Sequence, residues 1–66
     1  MYVAQVFRFI GCVVMMLSLS RGNSRYIEEG ELLQIVQQCG MPPELGRDIL
    51  VNLGIVKPYR PGVYML

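Results

Sequence analysis

Apolar residues dominate the first third of the chain and recur there at helical spacing, in two adjacent stripes. The first stripe consists of Val3, Val6, Phe7, Ile10, Val13, Val14 and Leu17, and the second of Phe9, Cys12, Met16 and Leu19. Only Gln5, Arg8 and Ser18 give the segment a polar side. The pattern predicts an α-helix over residues 3–19, with a β-strand over residues 10–17 as the competing interpretation, because valine and isoleucine favour strands.

The middle of the chain predicts a loop over residues 20–24, a short extended piece at Tyr26 and Ile27, and a second helix over residues 28–39. The first turn of that helix carries the carboxylates of Glu28, Glu29 and Glu31, which complement the positive end of the helix dipole. Gly40 then ends the helix, as glycine commonly does.

The last third predicts a third helix over residues 43–53 and a β-hairpin over residues 55–66. Pro43 suits the first helical position because its missing N–H would be unpaired there anyway. The inner face of this helix is predicted to be Leu45, Ile49, Leu50 and Leu53. In the hairpin, residues 55–57 and 63–66 are predicted strands around a turn at residues 58–62, which is rich in proline and glycine.

The segment from Glu31 to Leu66 resembles the core of winged helix-turn-helix domains. The stretch that carries the resemblance is Ile49-Leu50-Val51-Asn52-Leu53-Gly54-Ile55-Val56-Lys57, followed by Gly62-Val63-Tyr64-Met65-Leu66. The first helix and the extended piece at Tyr26 and Ile27 also fit the order of elements in such domains. The resemblance implies one domain over residues 1–66, mainly α with a small β-hairpin, in which three helices precede a C-terminal wing.

In the DNA-binding members of this superfamily, the third helix lies in the major groove and the wing contacts the DNA backbone. Carried over by position, the nucleic-acid-binding residues would be Arg47, Asn52, Lys57, Tyr59 and Arg60. Arg47 would reach guanine or phosphate, and Asn52 would pair with adenine. The resemblance therefore implies a small DNA-binding module that acts in transcription regulation.

The predicted third helix departs from the DNA-binding pattern. It carries Glu44 and Asp48 against the single cation Arg47, with Gly46 and Val51 also expected on its surface, and carboxylates repel phosphates. The net charge of the chain is only +1, without the basic excess of most nucleic-acid binders. A winged-helix module for protein–protein interaction or assembly is therefore the alternative function. A strongly basic surface on this helix and the wing would favour DNA, and a mixed or apolar one would favour protein.

The charge along the chain still allows one basic edge. Arg21 and Arg25 lie in one predicted loop, and Lys57 and Arg60 lie in the other, with the acids between them. If the two loops are neighbours in space, their four cations form a modest basic surface.

Hydrophobic residues make up 53% of these 66 positions, more than one domain of this size can hide from water. We expect the first stripe of the N-terminal helix to pack on the other two helices, which leaves the second stripe in water. The second stripe is the predicted oligomer interface, in a homodimer or as a subunit of a larger assembly: Phe9, Cys12, Met16 and Leu19.

The residues that carry chemistry are few. There is no histidine, and two cysteines alone cannot hold a zinc ion, so no metal, no cofactor and no catalytic residue is predicted, and the chain is not expected to be an enzyme. Cys12 and Cys39 both fall among apolar residues. They are predicted to be buried free thiols in a reducing compartment, the cytoplasm or the nucleus.

The N-terminal segment also has the features of a targeting sequence. Arg8 precedes a short apolar run, and small residues follow that run, as in a signal peptide. The run itself is shorter than the about 20 residues of a comfortable membrane span. A buried helix is the preferred interpretation, and a small protein anchored to a membrane through residues 3–19 is the third functional hypothesis.

Overall fold

The computed structural model describes residues 3–21 and 25–66, and over these ranges the chain is mainly helical with a small antiparallel sheet, as predicted. The elements are α1 (Val3–Arg21), β1 (Tyr26–Glu28), α2 (Glu29–Gln38), α3 (Pro43–Asn52), β2 (Lys57–Arg60) and β3 (Val63–Met65). The strand interpretation of residues 10–17 is wrong, because they lie inside α1. Residues 20 and 21 extend α1 beyond its predicted end, and residues 22–24 of the predicted loop lie outside the described residues.

The three strands form one sheet in the order β1-β3-β2, and both pairings are antiparallel. The hairpin strand β2 begins at Lys57, two residues later than predicted, and it includes Pro58, which was predicted in the turn. Proline is tolerated there because β2 is an edge strand, where one side makes no ladder hydrogen bonds. The register shifts between Pro58 and Arg60, which leaves Tyr59 as an extra residue in the strand. The turn is short, and Gly62 takes the positive φ of 79° that it requires.

The core lies where α1, α2, α3 and the inner face of the sheet meet. Its buried side chains are Phe9, Val13, Leu17, Ile27, Leu32, Ile35, Val36, Leu50 and Val56. The packing of α1 differs from the prediction, because Phe9 of the second stripe is only 3% exposed while Phe7 of the first stripe is 68% exposed. The buried side of α1 takes residues from both stripes, Phe9 from the second and Val13 and Leu17 from the first, so neither stripe alone faces the core. Packing of α1 against α2 and α3 decides which of its residues are buried.

The packing of α3 on α2 also differs from the prediction. Gly46 was expected on the surface but is buried, while Leu45 and Leu53, expected inside, are more than half exposed. A Cβ atom on Gly46 would overlap the side chain of Val36 and lie 2.9 Å from Cζ of Phe9. The absence of a side chain thus lets α3 approach both helices closely, and this contact turns Leu45 and Leu53 outward.

The two cysteines are joined, which corrects the prediction of free thiols. Cys12 lies at the middle of α1 and Cys39 directly follows α2, and their Cα atoms are 5.8 Å apart in the disulfide. The Sδ atom of Met16 lies 3.6 Å from Sγ of Cys39 and covers the bridge on one side. The prediction was wrong because burial among apolar residues is equally compatible with a thiol and with a bridge. The disulfide ties the long apolar helix α1 to the rest of the domain.

Candidate interaction surfaces

The first candidate surface is the outer side of α3, where Arg47 was predicted to contact DNA. Its guanidinium is instead held within the chain, with Nη1 donating to Oε1 of Glu29 at 2.8 Å and Nη2 lying 3.4 Å from Oδ1 of Asp48. Loss of hydration acts to lower the pKa of Arg47, but the hydrogen bond to Glu29 and the attraction of nearby negative groups raise that pKa above its ordinary value. Arg47 therefore remains charged, and carboxylates of its own domain compensate its positive charge.

The rest of the α3 surface is acidic and apolar. Glu44 and Asn52 are exposed, in line with the sequence prediction, and so are Leu45 in the first turn of the helix and Leu53 directly after its last residue. With two carboxylates and one paired guanidinium, the helix itself carries a net charge of −1. By the criterion of surface charge, this mixed surface favours protein over DNA.

The second candidate surface is the outer side of the sheet, with the hairpin of β2 and β3. Lys57 lies level with Tyr26 on either side of β3, since both pair with Met65. Tyr59 and Arg60 are exposed farther along β2, and the ring of Tyr59 lies 4.9 Å from that of Tyr26. The guanidinium carbon of Arg60 lies 5.8 Å from the centre of the Tyr59 ring, within the range of a cation–π contact.

The cations near the sheet come together only in part as predicted. The carbonyl of Arg25 accepts a hydrogen bond from the amide of Leu66, so Arg25 lies at the same end of the sheet as Lys57. Together with Arg60 these make three cations, against the single carboxylate of Glu28 on the same sheet. The fourth cation of the predicted basic edge is Arg21, whose side chain lies outside the part of the chain that the structure describes. The sheet surface has a local charge of about +2 by this count, which is a modest field.

The third candidate surface is the side of α1 that faces away from the core, which we term the outer face of α1. It consists of Val3, Ala4, Phe7, Gly11, Val14, Met15, Ser18 and Leu19, all exposed. Met15 is 65% and Leu19 is 82% exposed. An array of large apolar side chains of this kind marks an interaction site more often than scattered surface leucines do.

The predicted oligomer interface coincides with the outer face of α1 only at its last member. Leu19 is on the outer face, but Phe9 is in the core, Cys12 is bridged, and Met16 is half-buried beside the bridge. The outer face was missed because Val3, Phe7 and Val14 belong to the stripe that was predicted to face the core, and because its centre is Gly11, a residue without a side chain. In the sequence, the centre of the outer face is marked by the small residues Ala4, Gly11 and Ser18, which recur at intervals of seven.

Helix α1 is also long and apolar enough to cross a membrane. The 18-residue window Val3–Ser20 has a mean hydropathy of 1.8, and only 17% of that window is buried within the domain. Signal sequences and core helices can have the same length and composition, so these properties alone do not distinguish a membrane span from the alternatives. The contacts that α1 makes within the domain distinguish a membrane span from a docking helix.

Within residues 3–21 and 25–66, no three histidine, cysteine, aspartate or glutamate side chains are placed to share a metal ion. Comparisons with protein families, with curated proteins and with solved structures find no match to this chain.

Proposed function

We propose that this chain is a winged-helix module for protein assembly, and that it docks its partner through the outer face of α1. The winged-helix assignment is supported by the order of elements, α1-β1-α2-α3-β2-β3, with β3 between β1 and β2. Helices α2 and α3 correspond to the helix-turn-helix of that fold, and the hairpin of β2 and β3 corresponds to its wing. Because one fold serves many functions, the fold alone does not define what the chain does, and the chemistry of its exposed surfaces has to indicate the function.

The observation that carries the proposal is the exposure of large apolar side chains along the whole of α1. Phe7, Met15 and Leu19 each leave about two thirds or more of their surface in water. Burying a side chain of this size contributes about 1.5–3 kcal/mol, so a partner that covers all three gains a large fraction of a typical binding energy. Neither α3 nor the sheet offers a comparable apolar area.

The disulfide supports assembly over DNA regulation. Such bridges form and persist in oxidising environments and are rare in the cytosol and the nucleus, where DNA-binding regulators work. The Cys12–Cys39 bridge therefore favours an oxidising environment for this chain, in place of the cytoplasm or nucleus expected from the sequence. The net negative charge of α3 and the compensated charge of Arg47 also favour protein assembly over DNA regulation.

The contacts of α1 favour a docking helix over a membrane span. Phe9, Val13 and Leu17 provide three of the nine buried core side chains. A spanning α1 would withdraw all three from the core, and the bridge at Cys12 would pull α2 toward the bilayer with its exposed glutamines. In the folded domain, the side of α1 that is available to a partner is its outer face.

The test of the proposal is the state of association of the purified chain. We expect the wild type to self-associate or to bind its partner without detergent, and the double variant Phe7→Glu/Met15→Glu to be a folded monomer. Placing two carboxylates on the outer face makes its burial costly without touching the core. The matched control is Gln34→Glu/Gln37→Glu, which adds the same two charges to exposed positions of α2.

Sedimentation velocity and circular dichroism measure association and folding in the same samples. Wild-type chain that stays monomeric at high micromolar concentration and captures no partner would overturn the assembly proposal. So would a wild type that stays in solution only with detergent or lipid vesicles, since that behaviour defines a membrane-bound helix. The variant Phe9→Glu is unsuitable as a test, because Phe9 is in the core.

A second candidate function, nucleic-acid binding through the wing, is favoured by the three cations of the sheet surface and by its two tyrosines, whose rings are in tilted contact. If it holds, replacing Lys57 and Arg60 with alanine lowers the salt dependence of binding by about two units, one for each lost phosphate contact. The control is Arg8→Ala, which removes a cation from α1. Titration of a duplex at several salt concentrations gives the slope, and an unchanged slope, or no binding at low salt, would end this candidate.

A further inference from the structure

The outer face of α1 is arranged symmetrically about its midpoint, Gly11. Phe7 and Met15 lie four residues to either side of Gly11, and Val3 and Leu19 lie eight residues to either side. With a rise of 1.5 Å per residue, these pairs are about 6 Å and about 12 Å from Gly11 along the helix. A line drawn through Gly11 parallel to the helix axis has one member of each pair on its left and the other on its right. This follows because successive residues advance by about 100° around the axis.

We propose that the partner of this face is a second copy of the chain, and that the two α1 helices pack antiparallel with Gly11 at the two-fold axis. This inference rests on the proposed docking function of α1 and names its partner. A two-fold contact requires a patch that is complementary to itself. In the antiparallel arrangement, Phe7 of one copy lies at the same height along the helices as Met15 of the second copy. Val3 of one copy likewise lies at the height of Leu19 of the second copy. In both pairs the two side chains pack side by side and do not collide.

Gly11 is where two such helices come closest. A Cβ atom on Gly11 would meet no atom of its own domain within 4 Å, so the surface there is open. Packed helices have axes about 8–10 Å apart, and the distance depends on the side chains at the contact. With glycine at the contact point, the axes approach to the lower end of this range, which brings Phe7 and Met15 of both copies into contact.

The area of the outer face is sufficient for a dimer. Its five large side chains are Val3, Phe7, Val14, Met15 and Leu19, each exposed by 46–82%. At about 150–200 Å² for the full surface of such residues, together they expose about 550 Å². If both copies bury these side chains completely, the five contribute about 1,100 Å² in total, which clears the lower threshold of about 1,000 Å² for a biological interface.

A second copy fits this face better than a lipid bilayer does. A helix that lies on a membrane inserts its largest apolar residues deepest, but the centre line of the outer face is Ala4, Gly11 and Ser18, with little or nothing to insert. A second helix suits the same line, because the small residues form the groove that its side chains enter. Arg8, at the rim of the face, covers the contact with its stem while its charge stays in water.

The first test is Gly11→Leu in the full chain. A leucine at the crossing point forces the helices apart, and we expect the dissociation constant of the dimer to rise at least tenfold, measured by sedimentation equilibrium. The control is Gly30→Leu, at an exposed helical glycine of α2 with equally open surroundings, which should leave association unchanged. Adsorption to lipid or non-specific stickiness predicts the opposite sign, because leucine adds apolar surface.

The second test fixes the direction of pairing with Phe7→Glu/Met15→Lys. In an antiparallel dimer the new Glu lies beside the new Lys of the second copy, twice, whereas a parallel dimer sets like charges together. At low salt we expect this variant to dimerise at least tenfold more tightly than Phe7→Glu/Met15→Glu, and added salt to reduce the difference. Equal loss of association in both variants would overturn the antiparallel arrangement.

The outcomes separate the two proposals. If Phe7→Glu/Met15→Glu is monomeric but Gly11→Leu associates as well as the wild type or better, α1 is a docking face and Gly11 is not its axis. If the wild type remains monomeric yet binds a different protein through α1, docking stands and the second copy is excluded. A dimer that none of the α1 variants weakens would overturn both proposals.

Discussion

Reducing the Cys12–Cys39 disulfide is expected to lower the melting temperature of this domain by about 12–32 °C. The bridge joins residues 27 positions apart, and closing a loop of this length removes chain entropy worth about 3–4 kcal/mol from the unfolded state. Each kcal/mol shifts the melting temperature of a domain this small by about 4–8 °C. The effect is large because 66 residues bury a limited core.

Thermal unfolding followed by circular dichroism, with and without reductant, measures this shift. The control is the double variant Cys12→Ser/Cys39→Ser, which should melt at or below the temperature of the reduced wild type and not respond to reductant. A wild type whose melting temperature is the same in both conditions would show that the thiols are free, as the sequence alone predicts. That result would also restore the reducing compartment as the expected environment.

Replacing Gly46 with alanine is expected to lower the free energy of unfolding by about 1–3 kcal/mol, the usual effect of overpacking a core. The new methyl group would overlap Val36, lie 2.9 Å from Cζ of Phe9 and lie 3.1 Å from Cγ of Met41. Alanine is the better helix former by about 1 kcal/mol, but α3 has to move away from α1 and α2 to make room. We expect the displacement to outweigh the gain in helix propensity.

The matched control is Gly30→Ala in α2, where the added Cβ meets no atom within 4 Å. That variant should be more stable than the wild type by about 0.5–1 kcal/mol, since only the helix propensity changes. Urea unfolding of the two variants beside the wild type measures both effects. A stabilised Gly46→Ala variant would mean that α3 does not pack as closely on α1 and α2 as the structure has it.

The sequence by itself determined the kind and the order of the elements in this chain. Helical periodicity, the glycine that ends α2 and the proline that begins α3 are local signals, and they predicted all three helices to within two residues at each end. The hairpin was also predicted, although its first strand begins at Lys57 instead of Ile55. These features follow from backbone preferences of residues close together in the chain, which a single sequence contains.

Only the tertiary structure decided which side of each helix faces the core. Helix α1 is apolar on both sides; the sequence pattern predicted that the stripe with Phe7 faces the core, and packing against α2 and α3 buries Phe9 instead. In the same way the pairing of Arg47 with Glu29 joins residues 18 positions apart, and no local pattern predicted it. The disulfide joins residues even farther apart. Contacts of this range depend on how the helices pack, and packing is a property of the whole domain that local patterns do not specify.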